Sequence, residues 1–467
     1  MLPSRHELRG MTMSYRSVNP FTEELLAEYP EHTDAQVEDL LAGAERAYRG
    51  DWAGRSFDDR GAVIAAVGEL MAERAEELAR LATTEMGKRY PEALYEVQAC
   101  VAMFRYFAAE SGAILTSRDL EVPDGSARLD ARPLGVIFCI EPWNFPYIQL
   151  ARVSVPILMA GNTVVMKHAP NVPQCALAFE RLFVDAGAPE GLYTNVFLSN
   201  DQAASVIRDD RVRAVSLTGS ERAGEAVGAI AASALKKVTL ELGGSDPFIV
   251  LDDADLDLAV RLAVDTRTMN TGQACGGSKR FIVHTSLYQQ FTERVSSEFE
   301  AMVPGDPMDP GTGVGPLVSE GALNHIREQI DLAVSHGATV LGGGCRIERK
   351  GYFIEPTLLG GVTPDNPVFG QELFAPVAMV FEVSNDEEAI ALANASDYGL
   401  GCSVISADVA RAERVGAAVD SGMVFINHMV DTAPNLPWGG VKRSGYGREL
   451  SHLGIGEFVN WKLVRTA

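Results

Sequence analysis

Residues 270–280 read NTGQACGGSKR, and Cys275 is the group in that stretch able to do covalent chemistry. Its small neighbours Ala274, Gly276 and Gly277 let a planar carbonyl approach the sulfur. They also leave the Cys275 backbone N–H free to point at a developing oxyanion. A lone cysteine is more often a small buried hydrophobe. That description suits Cys139, inside an apolar run, better than Cys275 in a polar, glycine-rich turn beside Gln273 and Lys279. Glu241, in VTLELGG (238–244), lies between an apolar strand and a Gly-Gly bend. A carboxylate there is costly unless it is paired or faces a cleft; the plain alternative is a solvated glutamate. Asn144 is the neutral polar side chain of EPWNFPY (141–147), a loop stiffened by prolines and aromatics. Its amide can donate to an oxyanion, or it can simply be a turn residue. In LTGSERAG (217–224), Gly219, Ser220 and Gly224 allow a pyrophosphate to approach a helix N-terminus, where free N–H groups point outward. The pattern is not G-x-G-x-x-G, and many strand–helix turns look like it. Lys167 ends TVVMK and could reach ribose hydroxyls or a 2′-phosphate, or be merely solvated.

The surrounding pattern supplies elements to hold these groups. Apolar residues at helical spacing predict an amphipathic helix over 58–81, and a second runs over about 91–110. Residues 118–132 read as a short strand excursion. Runs at 134–140, 163–167, 193–198 and 212–217 read as strands, with helices at about 147–160, 173–186 and 201–208 between them. Such alternation implies a parallel sheet covered on both faces, with ligands beyond the strands' carboxyl ends. A second α/β region opens at 247–251, with a helix from about 256 and a strand at 280–284. Fold alone would leave the chemistry open.

The 467 residues carry 63 acidic and 40 basic side chains, a net charge of −23. That argues against nucleic acid and anionic membrane surfaces as partners. Anionic ligands would then need local donors against an unfavourable overall field. The six cysteines are scattered, with no CxxC and no histidine cluster, so neither a disulfide framework nor a zinc site is expected. No apolar run approaches the ~18 residues of a membrane helix. Residues 1–16 lack a signal-peptide core and read as a loose extension, with Met11 and Met13 as alternative starts. A cytoplasmic enzyme is expected.

Taken together, EPWNFP, TVVMK, LTGSERAG, LELGG, GQAC, QELFAPV (371–377) and LPWGGVKRSGYGRE (436–449) resemble the NAD(P)-dependent aldehyde dehydrogenase superfamily over residues 17–467. The spacing of 34 residues from Glu241 to Cys275 fits its pattern. The resemblance implies an α/β fold of the aldehyde dehydrogenase type. A Rossmann-type cofactor domain (12–114 and 134–243) would be followed by an α/β catalytic domain (244–435). A small β oligomerisation element (115–133 and 452–467) would complete it. It implies that Cys275 forms a thiohemiacetal and then a thioester, with Asn144 and the Cys275 N–H as oxyanion hole. Glu241 would activate the hydrolytic water, and its presence favours a free acid over an acyl-CoA. Glu372 would bond the nicotinamide ribose with Phe374 beside it. Lys167 would hold the adenosine ribose and Ser220 the pyrophosphate, with Trp143, Gly219, Gly224 and Leu242 also at the cofactor.

Within the superfamily, the short chain, the segment 158–177 and the tail GRELSHLGIGEFVNWK resemble compact bacterial succinate-semialdehyde dehydrogenases. The resemblance puts the substrate carboxylate on Arg152, whose fork is bidentate, and on Thr432, where relatives carry serine; an internal ion pair is the alternative for Arg152. The cofactor is NAD or NADP. Pro170, three residues after Lys167, donates nothing where NADP-preferring members carry serine, which leans towards NAD. Ala375 and Trp438 depart from the usual glycine and phenylalanine, and Gly276 and Gly277 are smaller than usual, which predicts a mobile cysteine loop. The alternatives are a broader aliphatic or aromatic aldehyde dehydrogenase, or a catalytically silent structural protein on the same fold. The expected partners are a small aldehyde and further copies of the chain, as a dimer or tetramer.

Overall fold

The structure, a computed structural model, describes residues 14–467. Its first sheet has five parallel strands: Val136–Glu141, Thr163–His168, Tyr193–Asn195, Val212–Thr218 and Lys237–Glu241. In space they run third, second, first, fourth, fifth. The order reverses between Val136–Glu141 and Val212–Thr218, and doubly wound sheets bind ligands beyond the carboxyl ends at such a point. Gly445–Tyr446 returns late in the chain to pair antiparallel with Leu240 and Glu241.

The chain leaves this sheet after Glu241, bends at Gly243–Gly244 and starts a second sheet at Pro247–Val250. Arg280–His284, Thr357–Gly360, Val377–Val383, Ser403–Ile405 and Phe425–Ile426 join it in parallel. Thr339–Gly342 closes one edge antiparallel. The strands are short and almost wholly buried, as helix-covered parallel sheets require. A third, antiparallel sheet unites Arg118–Leu120, Ser126–Pro133 and Val459–Thr466.

Two helices beside the first sheet begin without a side-chain cap of their own, because Tyr147 and Val172 occupy the cap positions. Buried glutamates from elsewhere take that role. Glu96 accepts the N–H groups of Tyr147 (2.7 Å) and Ile148 (3.0 Å), and Lys88 pairs with its other oxygen. Glu85 accepts those of Gln174 (3.0 Å) and Cys175 (2.8 Å). Negative charge thus meets the donors that a helix start leaves unpaired. The Asn144 loop and the helix Ile148–Met159 are therefore fixed from the long helix Tyr90–Ile114.

Two sequence expectations need correction. The single helix over 58–81 is two helices, Phe57–Glu73 and Ala75–Met86, with a break at Arg74. The Arg74 guanidinium pairs with Asp185 at 2.7 Å, and both halves share one core with Tyr90–Ile114. The expected loose extension over 1–16 does not hold at its C-terminal end. Residues 1–13, including Met11 and Met13, lie outside the described residues. Tyr15–Val18, however, is a strand paired with Leu25–Tyr29. Tyr15 is buried against Phe197, and its hydroxyl donates to the Leu198 carbonyl at 3.1 Å. Among the described residues no helix is long and apolar enough to cross a membrane.

Candidate active site

A cavity of about 680 Å³ opens at the switch point of the first sheet. Trp143 and Asn144 enter it after Val136–Glu141, Gly219 and Ser220 after Val212–Thr218, and Leu242 after Lys237–Glu241. The second sheet faces the same space with the segments that precede its strands. Cys275 stands before Arg280–His284, and Glu372 and Phe374 before Val377–Val383. Trp143 and Phe374 meet edge to face, with ring centroids 5.8 Å apart. A smaller cavity of about 260 Å³ reaches Cys275 from another side. Cys275 and Gln149 line both.

The six cysteines separate cleanly by environment. Cys100, Cys139, Cys175 and Cys402 are buried, and Cys345 is exposed. Cys275 is half-buried and lines both cavities, so it alone among them combines shelter with access. Burial, with Glu372 and Glu241, pushes its thiol up to about 11, while Arg152 and Lys279 oppose that rise. A resting thiol at neutral pH follows.

The loop around it is close-packed, which corrects the expected mobility. A side chain at Gly276 would meet Val430 at 3.0 Å and Trp438 at 3.1 Å. One at Gly277 would meet the Thr266 carbonyl at 3.0 Å. Gly272 has φ of +72° and lies against the Ala375 backbone, where a Cβ would come within 2.2 Å of the carbonyl carbon. Asn270 and Thr271 also take left-handed backbone, with φ of 52° and 54°. A β-branched residue there is an outlier that its surroundings must hold. They do so with buried amides. Asn270 Nδ2 donates to the carbonyls of Asn144 (2.7 Å) and Gln273 (3.1 Å), and Asn144 Nδ2 donates to Gln273 at 3.1 Å. Asn144 Oδ1 accepts from Gln149 at 3.3 Å. The Asn144 side chain is thus oriented at the cavity beside Cys275.

Glu241 ends its strand fully buried and does not line either cavity. Its carboxylate lies against Gly439, where a Cβ would come within 2.6 Å of Oε1. Neither oxygen has a hydrogen-bond partner among the described residues. Burial, then the charge of Glu449, raises its pKa well above the carboxylate range, while Arg152 and Arg448 oppose. The sequence placed this group at a cleft; the structure places it just behind one, beside the buried acids Glu141 and Glu449.

Arg152 pairs with Glu449, donates to Gln149 at 2.7 Å and lies over the Trp438 ring at 5.1 Å. It still lines the smaller cavity, together with Thr432. The Thr432 hydroxyl is buried without a partner. Phe145, Ile148, Val430 and Trp438 make the rest of that wall largely apolar.

At the larger cavity, Ser220 is the N-cap of the helix Glu221–Ser233 and accepts the Ala223 N–H at 3.3 Å. Gly219 is open, with no Cβ contact under 3.7 Å. Gly224 does not line the cavity, and its role differs from the one expected. A Cβ there would lie 2.6 Å from Leu242, so the glycine makes room for a packed leucine. Lys167 stands at the carboxyl end of Thr163–His168, outside the lining, with its amine 5.7 Å from the Tyr15 ring centre and no ion pair among the described residues. Glu372 accepts the Gly244 N–H at 3.0 Å and pairs with Lys279 at 3.3 Å. Arg222 and His325, overlooked in the sequence, supply basic groups at this wall despite the acidic whole. An anionic dinucleotide fits these features: a helix start, an open glycine, basic side chains and a carboxylate for ribose hydroxyls.

Gln149, Asn270, Lys279 and Glu449 were also missed. Gln149 had a local signal, three residues before Arg152 on one helix face. The other three act through contacts distant in sequence or through backbone carbonyls.

A thiol between a dinucleotide cleft and a smaller pocket defines an α/β oxidoreductase with covalent cysteine chemistry. The sequence profile of the Aldehyde dehydrogenase family matches residues 9–464, and the chain belongs to that family. Succinate-semialdehyde dehydrogenase [NADP(+)] of Deinococcus radiodurans is 49% identical over 97% of this chain and 94% of its own. Succinate-semialdehyde dehydrogenase [NADP(+)] 1 of Mycobacterium tuberculosis is 42% identical over 97% and 99%. The crystal structure of succinic semialdehyde dehydrogenase from Streptococcus pyogenes, in complex with NADP+, superposes with a TM-score of 0.95 at 42% identity, covering 97% of this chain and 99% of that one. The chain is accordingly an aldehyde-oxidising enzyme that works with NAD or NADP. These comparisons do not support the lean towards NAD drawn from Pro170. That residue's carbonyl accepts the Arg16 N–H at 2.9 Å, so the position also anchors the N-terminal strand.

Proposed function

We propose that this chain oxidises succinate semialdehyde to succinate. The observation that carries the reading is the smaller cavity. It joins Cys275 to the Arg152 guanidinium and to an unpartnered Thr432 hydroxyl, on a wall otherwise largely apolar. Arg152 and Thr432 would hold the carboxylate end and leave the aldehyde at the sulfur.

The Cys275 thiol gives its proton to water and attacks as thiolate, and the carbonyl oxygen becomes an oxyanion facing the Asn144 amide and the Cys275 N–H. A dinucleotide held in the larger cavity would supply the hydride acceptor for this carbon. The thioester so formed on Cys275 is hydrolysed by water that gives its proton to Glu241, and the thiolate leaves. Glu241 must turn from Gly439 towards the sulfur to take that proton. Ser220 and Gly219 would hold the pyrophosphate, with Trp143 and Leu242 lining the cleft. Glu372 would hold the nicotinamide ribose and Phe374 pack beside it. Lys167 would hold the adenosine ribose and could reach a 2′-phosphate, and on that ground, with the names of the relatives, NADP is proposed as an acceptor alongside NAD.

The test is kcat/KM for succinate semialdehyde and for butanal, each with NAD and NADP, in wild type and Arg152→Ala. Truncating one partner of a buried charge pair costs about 2–5 kcal/mol, so the charged aldehyde should lose roughly 30- to 4,000-fold more than butanal, whose own fall reports the support that Arg152 gives Cys275 and Glu241. An unchanged ratio of the two aldehydes would remove the carboxylate clamp. It would favour the broader aldehyde range that the apolar wall also allows.

The two parallel sheets support a cofactor domain over 12–114 and 134–243 and a catalytic domain over 244–435. Self-association through the third sheet, over 115–133 and 452–467, is supported by exposed Leu120 and Leu463 on its edge strands. A cytoplasmic location is part of the same reading.

A further inference from the structure

Two buried cations collect the carbonyl groups of the cysteine loop. Arg267 donates to the carbonyls of Gly272, Gly277 (3.4 Å) and Ser278 (3.2 Å). Lys279, with no side-chain exposure, donates to those of Ala274 (2.8 Å) and Cys275. Arg267 makes no ion pair among the described residues. Lys279 does: its amine is 3.3 Å from Oε1 of Glu372, the same oxygen that accepts the Gly244 N–H. A single ammonium therefore touches the backbone of the nucleophile and a carboxylate that lines the dinucleotide cleft.

We propose that Lys279 is a positioning residue that couples occupancy of Glu372 by a ribose to the reactivity of the Cys275 thiol. The inference rests on the assignment of Cys275 as nucleophile and of Glu372 to the nicotinamide ribose. While Glu372 pairs with Lys279, its charge cancels much of the ammonium's field. Once ribose hydroxyls donate to the carboxylate, it accepts less from the ammonium, and more of the ammonium's field acts on the sulfur four residues away in sequence. A nearby cation stabilises thiolate over thiol, which lowers the pKa.

The groups facing the pair are few. Arg152 and Lys279 favour the Cys275 thiolate, and Glu372 and Glu241 oppose it. Lys279 itself faces Glu372, Asp246, Arg267 and Cys275. Glu372 is the carboxylate of this set that lines the cleft, so it is the one a dinucleotide can reach.

The probe is ADP-ribose, together with its 2′-phosphate form, which presents the ribose without the nicotinamide and so leaves the thiol uncovered. Iodoacetamide labelling of Cys275 is followed by peptide mass spectrometry across pH, with exposed Cys345 as internal reference. The probe should accelerate Cys275 labelling at pH 7.5 about tenfold, equivalent to one pH unit lower for the thiol's titration midpoint. Lys279→Met should abolish that response while still binding the probe by calorimetry. Lys279→Arg should restore part of it, and Glu372→Gln should give fast labelling without the probe. A full response in Lys279→Met would overturn the coupling. If Lys279→Met does not fold, slow labelling in Glu372→Gln overturns it instead. Failure of the underlying assignment looks different: Cys275→Ala would keep its activity, or Glu372→Gln would bind the probe as wild type does.

Discussion

The two parallel sheets offer opposite ends to one cavity. The first presents the carboxyl ends of its strands, where a chain reversal leaves a cleft and a helix start faces it. The second presents the segments that enter its strands, and these carry Cys275, Glu372 and Phe374. The first arrangement follows from topology alone, since any sheet of this winding has such a cleft. The second does not. Its loop must be assembled from left-handed backbone, buried amides and two cations that gather carbonyls. Ligand binding comes with the fold here, whereas the nucleophile's geometry is built residue by residue.

The largest effect that sharpens this contrast is Cys275→Ala. Activity should fall by at least about 10⁴-fold, as when a covalent nucleophile is removed. Dinucleotide binding, followed by protein fluorescence, should stay within about twofold. Loss of both together would mean that the two sheets do not divide the work.

Glu241→Gln comes next. Turnover should fall about 10²- to 10⁴-fold, with a burst of one NAD(P)H per active site as the acyl-enzyme accumulates. In the wild type only the ionised carboxylate can take a proton from water. Because burial and Glu449 raise its pKa, the deacylation rate should climb as pH rises through that raised value. A rate flat from pH 5 to 9 would remove Glu241 as the base.

Smaller effects probe the first sheet. Lys167→Ala should raise KM for NADP about tenfold, the loss of one charge-assisted contact of roughly 1.4 kcal/mol, and leave NAD nearly unchanged. Equal loss for both cofactors would place Lys167 at the ribose rather than at a 2′-phosphate. Gly224→Ala should cost about 1–3 kcal/mol of stability through crowding of Leu242, read as a lower melting temperature. Its dinucleotide affinity should hold; a weakened affinity would restore the pyrophosphate role first expected of that glycine.

The same contrast explains what could be read from the sequence. The first sheet was legible because its strands are continuous apolar runs and its cleft follows from their alternation with helices. Cys275 and Asn144 stood out because their neighbours were unusual for buried residues. Glu241 was found, yet its retracted position was not, since nothing near it in sequence signals Gly439 or Glu449. Lys279 and Asn270 bond mainly to backbone carbonyls, which carry no side-chain signature. At the break, Arg74 meets Asp185, more than a hundred residues away, a contact that no local periodicity reveals.

Asn270 and Thr271 hold conformations that glycine would adopt more readily. Glycine at either position would relieve local strain of about 1–3 kcal/mol. At position 270 it would also remove the amide that fixes Asn144. Selection for thermal resistance alone would find such a trade attractive at position 271. The enzyme that emerged would tolerate heat better and keep its turnover, because the amides that hold the thiol's loop belong to position 270 and not to 271.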